Sequence, residues 1–100
     1  MKKGKPEVLY FIILPSTGRG QKEIQLLLNR RKKQLEKTIN KLKKYPTDFT
    51  IKGIEKLTDN RLGQYTIRVS KGDRLFYDVD DDKKVVSILR AGKHDLYKLL

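Results

Sequence analysis

Apolar and polar residues change rhythm along this chain. Val8-Leu-Tyr-Phe-Ile-Ile-Leu14 is a continuous apolar run of β-formers, the pattern of an interior strand covered on both faces. From Gln21 to Lys44 the period becomes helical. Ile24, Leu28, Leu35, Ile39 and Leu42 fall on one narrow stripe, with Arg30, Lys33, Lys37, Lys41 and Lys44 on the opposite side. Arg31 falls on the apolar stripe, where a charge does not belong. That favours a break or kink near Asn29 to Lys32, giving a helical hairpin or a kinked helix; one continuous helix is the alternative. Tyr45-Pro46 ends the helix, because the residue before a proline is biased away from the α region.

Further on the period falls to two. Tyr65, Ile67 and Val69 alternate with Thr66, Arg68 and Ser70, and Leu75, Tyr77 and Val79 alternate with Arg74, Phe76 and Asp78. Two half-buried strands around a turn follow. A three-residue loop, Ser70-Lys71-Gly72, puts glycine where a left-handed conformation is needed. Ile67 then faces Leu75, Tyr65 faces Tyr77, and the apolar partners share one face. A two-residue loop mixes the faces, since a slip of one residue flips every side chain. The chosen register sets Arg68 directly opposite Arg74. Like charges paired across strands are destabilising. A third party of opposite charge, phosphate above all, would explain the pair; two side chains splayed into water is the plainer reading.

The remaining segments complete an order of strand, helix and strands. Thr47 to Asn60 is a connector, with Ile51, Ile54 and Leu57 tucked under the sheet. Asp80-Asp-Asp-Lys83 is a turn, Val85 to Leu89 a further strand, and Asp95 to Leu100 a short end segment. This is an α+β domain: an N-terminal strand, the helical segment, then a three-stranded antiparallel meander. The helices cover one face and leave Thr66, Arg68, Arg74 and Phe76 on an open one.

Composition narrows the chemistry. One hundred residues form a single domain. The chain has no cysteine and one histidine, His94, which excludes thiolate and multi-histidine metal sites. The net charge of +12 calls for a polyanionic partner. Lys2-Lys3-Gly4-Lys5 before the apolar run has the look of a signal peptide. The run, however, is short, ends at Pro15 and precedes no small-residue cleavage site. It is too short to span a bilayer. It reads as a strand of a cytoplasmic protein with no membrane partner, and Met1 to Pro6 as a loose tail. Ser16-Thr-Gly-Arg-Gly20 lacks the GxxxxGK[ST] pattern of a phosphate loop.

From Lys56 onward an ordered set of short motifs stands out: Lys56-Leu57, Gly63, Tyr65-Thr-Ile-Arg68, Asp73-Arg-Leu-Phe-Tyr77, the acidic turn Asp80 to Asp82, Val85 to Leu89, and Gly92-Lys-His-Asp-Leu-Tyr97. In order and spacing this C-terminal half resembles the RelE/ParE superfamily of toxins from toxin–antitoxin pairs. The resemblance implies a RelE-like fold, a cytoplasmic toxin, and an acidic antitoxin as hetero-oligomeric partner. In the RelE branch it implies an endoribonuclease that cuts messenger RNA in the ribosomal A site without metal or other cofactor. In the ParE branch it implies a gyrase inhibitor with no nuclease activity. A non-catalytic basic RNA-binding module is the third reading.

Metal-free RNA cleavage needs the 2′-hydroxyl deprotonated, the phosphorane charge stabilised and the leaving 5′-oxygen protonated. Arg68 and Arg74 match family positions and suit phosphate. His94 suits proton transfer, because its ordinary pKa lies near neutrality. Tyr97 matches the C-terminal aromatic. Where the best-known ribonuclease branch has a lysine this chain has Thr66, so His94 takes over as acid or base. Lys52, Lys56, Lys71, Arg90 and Lys93 supply positive charge and Phe76 a stacking ring. The basic helix face would join them in gripping ribosomal RNA.

Overall fold

The alternating segments pair in the register their side chains require. Tyr65 faces Tyr77, Thr66 faces Phe76, Ile67 faces Leu75 and Arg68 faces Arg74. A computed structural model describes residues 9–58 and 61–93. The tail expected at Met1 to Pro6 and the end segment expected from Asp95 lie outside them. The strands are β1 (Phe11–Ile13), β2 (Glu55–Lys56), β3 (Tyr65–Arg68), β4 (Asp73–Asp80) and β5 (Val85–Lys93), and one helix, α1 (Gly18–Lys44), lies between β1 and β2. They form a five-stranded sheet in the order β1-β5-β4-β3-β2. The β3-β4-β5 part is the expected antiparallel meander.

The helix covers one face of this sheet. Ile24, Leu27, Leu35 and Leu42 pack with Ile54, Ile67, Leu75, Tyr77, Val86, Ile88 and Ala91 in a single core. Thr38 lies on the same buried stripe and donates its hydroxyl to the Gln34 carbonyl one turn back, at 2.8 Å. The expected break falls at Arg31, whose φ of −137° and ψ of 47° are not helical. The result is a kinked helix, not a hairpin. Arg31 turns off the apolar stripe to within 3.6 Å of Asp73, and Arg30 donates to the same carboxylate at 3.0 Å. The kink therefore lets both arginines reach an acid at the start of β4.

The N-terminal strand departs from expectation. Among the described residues it is an edge, paired in parallel to β5 alone, with Phe11 68% exposed and Leu9 and Ile13 also uncovered. Tyr10 and Ile12 reach the core from the other side. A seven-residue apolar run tells of burial but not of how many neighbours the strand has. The connector also holds a strand that was not expected. β2 is only two residues long, too short for a period, and pairs Glu55 with Thr66 and Lys56 with Tyr65. β5 runs on to Lys93, past the expected end at Leu89.

Two close approaches fix the helix and the connector. Gly20 lies so near β5 that a Cβ there would sit 2.2 Å from the Leu89 carbonyl oxygen. Leu89 is the extra residue of a bulge, since Phe76 faces Arg90 but Tyr77 faces Ile88. Beside this contact Glu23 accepts from Arg90 at 2.6 and 2.8 Å and from the Ala91 amide at 3.2 Å. The connector is tied by the Tyr77 hydroxyl, which donates to the Pro46 carbonyl at 2.6 Å. Burial pushes the Tyr77 pKa well above its ordinary value. The hairpin turn differs in one detail. Gly72 is not left-handed; the Asp73 amide donates back to the Ser70 carbonyl at 3.3 Å, and the Ser70 hydroxyl to the Asp73 carboxylate at 2.7 Å. A side-chain clasp holds the turn in place of a special backbone angle.

Candidate nucleic-acid interface

β3 and β4 bring Arg68 and Arg74 opposite each other on the sheet face turned from the helix, but the two are not alike. Arg68 is exposed and has no acidic partner among the described residues. Arg74 is 2% exposed, so the expectation that it lies on an open face is corrected. Its guanidinium reaches across β3 to the Gly53 carbonyl at 3.4 Å and the Glu55 carboxylate at 3.5 Å. Its Nε is buried with no hydrogen-bond partner among the described residues. The opposite charge demanded by the arginine pair thus exists within the chain, and it is Glu55.

The loop that carries Glu55 is seated by glycine. Gly53 has a φ of +98°, and a Cβ there would stand 2.9 Å from the Cβ of Arg68. Its carbonyl accepts from the Arg68 amide at 3.1 Å. Any other residue would be strained and would push the loop from β3. Lys52, Gly53 and Glu55 are thereby held beside Arg68, with Lys71 three residues on in the hairpin turn; Lys56, expected here, pairs with Tyr65 and so falls on the helix-side face. Lys52, Lys56 and Lys71 are all exposed, and Glu55 is 57% exposed. Glu55 was not singled out from the sequence: one carboxylate in an irregular connector has no period, and only the β2–β3 pairing sets it near Arg74.

Other expected members go elsewhere. Phe76 is fully buried and cannot stack on a base. Thr66 is also buried and donates its hydroxyl to the Leu75 carbonyl at 2.8 Å. Arg90 is taken by Glu23, whose hydrogen bond raises its pKa further, so it is no open anion site. Lys93 is exposed at the end of β5, but it stands opposite Asp73 on the side of the sheet that meets the helix arginines, not on the arginine face. His94 and Tyr97 lie outside the described residues. What assembles is an arginine, an under-bonded buried arginine, a carboxylate and two lysines, Lys52 and Lys71: groups that can hold a phosphodiester and accept a proton. Among the described residues no group of three or more His, Cys, Asp or Glu could hold a metal ion, and no helix is long and apolar enough to cross a membrane.

No family model matches the sequence, and no curated protein matches it. Among solved structures, the fold is similar to that of a chain in the toxin-antitoxin complex RelBE2 from Mycobacterium tuberculosis. The TM-score is 0.55 at 19% sequence identity, over 87% of this chain and 100% of that one. The RelE-like fold expected from the C-terminal motifs is the fold this chain has.

Proposed function

We propose that this chain is the toxin of a toxin–antitoxin pair, and that it cuts messenger RNA in the ribosomal A site without a metal. The observation that carries the reading is the slack bonding of Arg74. A buried guanidinium with contacts of 3.4 and 3.5 Å and an Nε unpaired among the described residues is under-satisfied and gains from a better anion. The phosphate meets exposed Arg68 first. Arg74 then exchanges Glu55 for a phosphate oxygen, and the freed carboxylate stands beside the sugar. Glu55 accepts the 2′-hydroxyl proton, the 2′-oxygen attacks phosphorus, and the two arginines stabilise the phosphorane. The 5′-oxygen leaves with a proton from His94, with Tyr97 assisting. Lys52 and Lys71 steer the backbone.

The toxin part rests on the fold shared with a chain of a toxin-antitoxin complex. The antitoxin is an acidic protein that docks on β1. Leu9, Phe11 and Ile13 are uncovered there and offer an apolar surface, and Lys43 and Lys84 lie alongside through backbone bonds to Tyr10 and Phe11. Acting on ribosomes makes the protein cytoplasmic.

Primer extension on a translated message tests the cleavage. In-frame cuts on ribosomes but not on naked RNA, reduced about 100-fold or more in Arg68→Ala and Glu55→Gln, are expected. No cuts from folded wild-type protein would sink the ribonuclease reading and direct the search to gyrase.

A further inference from the structure

A second line of positive charge lies away from the arginine face. Beyond the kink, α1 buries Leu35, Thr38 and Leu42. At about 100° per residue, Lys33, Lys37, Lys41 and Lys44 share an arc of roughly 80° on the opposite side, and span about 16 Å of helix axis. All four are exposed, and none makes an ion pair among the described residues. Gln34 and Asn40 border the arc with neutral amides, and Glu36 is the one acid nearby. The arc points away from the sheet, whereas Arg68 and Glu55 are on the sheet's far face. The core lies between them.

The chemistry of the arc selects its partner. A membrane-surface helix needs apolar residues beside its charges to enter the lipid; here the apolar residues are spent in the core. A protein interface needs apolar or aromatic anchors near its centre, and the arc has none. Single-stranded nucleic acid is held by stacking on aromatic rings, also missing from the arc. What remains is a rigid polyphosphate. A straight line of ammonium groups about 6 Å apart along the axis fits such a backbone without reading its sequence.

We propose that the outer face of α1 is a second nucleic-acid site, which binds the phosphate backbone of a double-helical segment independently of the arginine face. RNA and DNA duplexes share this chemistry. The choice of RNA rests on the ribonuclease reading; the site itself does not. The protein would then hold folded RNA with one face and present the other to a single strand.

The test is fluorescence anisotropy with a duplex RNA of about 16 base pairs, the same duplex as DNA, and one of its strands alone, between about 50 and 200 mM salt. Wild type is compared with Arg68→Gln and with a variant carrying Lys33→Gln, Lys37→Gln, Lys41→Gln and Lys44→Gln. The four changes are expected to lower the slope of log affinity on log salt by about 3 for duplex RNA. Arg68→Gln should lower it by no more than about 1. An unchanged slope in the folded fourfold variant overturns the site, and so does an equal loss on the single strand. DNA bound as tightly as RNA keeps the site and overturns the choice of RNA. None of these readouts depends on cleavage, so the site and the nuclease reading can fail separately.

Discussion

Replacing Asp73 by asparagine removes one charge from the point where the helix kink meets the sheet, and nearly nothing from its shape. Asp73 is 2% exposed and accepts from Arg30 at 3.0 Å and Ser70 at 2.7 Å, with Arg31 at 3.6 Å. Breaking a wholly buried pair costs about 3 to 5 kcal/mol. Here the two arginine side chains are 47% and 46% exposed, so water takes up much of their charge and the cost falls toward that of one charge-assisted bond. About 2 kcal/mol is expected, or a drop in Tm of roughly 10 °C for a chain of this size, read by thermal melts in circular dichroism. The pH dependence is a second check. Burial pushes the Asp73 carboxyl up, but the Ser70 hydroxyl, Arg30 and Lys93 outweigh it and hold the pKa below the ordinary aspartate value. A pKa depressed in the folded state gives stability that is full above the unfolded value, about 3.9, and is lost as pH falls through the folded one. The gap between wild type and Asp73→Asn should therefore close in acid below about pH 4. A gap under about 0.5 kcal/mol at neutral pH, or one that persists in acid, refutes the charge anchor.

Gly20→Ala sets a methyl against the Leu89 carbonyl at 2.2 Å, so helix or bulge must shift; a loss of about 3 kcal/mol in denaturant unfolding is expected. Tyr77→Phe strands the Pro46 carbonyl and should cost about 1 to 2 kcal/mol. In wild type, phenolate absorbance from Tyr77 should appear only as the protein unfolds at high pH. Arg68→Ala should leave stability within about 0.5 kcal/mol while Arg74→Ala lowers it by about 2 kcal/mol; equal effects would deny the asymmetry of the pair. Phe11→Lys with Ile13→Lys should keep the melt and weaken capture by the antitoxin at least tenfold, as measured by calorimetry.

Much of the architecture can be read from periods. The β3–β4 register follows from alternation and loop length, and the kink from one arginine on an apolar stripe. Contacts between segments far apart in sequence leave no such mark. Nothing in Val8 to Leu14 says that the run pairs with β5 at a sheet edge, and nothing near Glu23 points to Arg90. The arginine pair shows why the site was half legible: register put Arg68 and Arg74 opposite each other, but only the approach of Gly53 and Glu55 buries one and leaves the other in water. Phe76 failed as a stacking ring because alternation assigns a face without saying whether that face is covered.

The clasp between Glu23 and Arg90 joins residues 67 apart, and it bears on the order of folding. Closing a loop of that length costs roughly 4 kcal/mol in chain entropy, before any contact repays it. The β3–β4 hairpin closes a short loop and can form first. β1 pairs with no strand among the described residues until β5 is made, and the first turn of α1 lacks its Leu89 contact until then. The expected order of assembly therefore runs from the later segments backward, with the first half leaving the ribosome while its apolar stripe is still exposed. Variants that slow the last strand should lengthen that vulnerable interval without changing the finished structure.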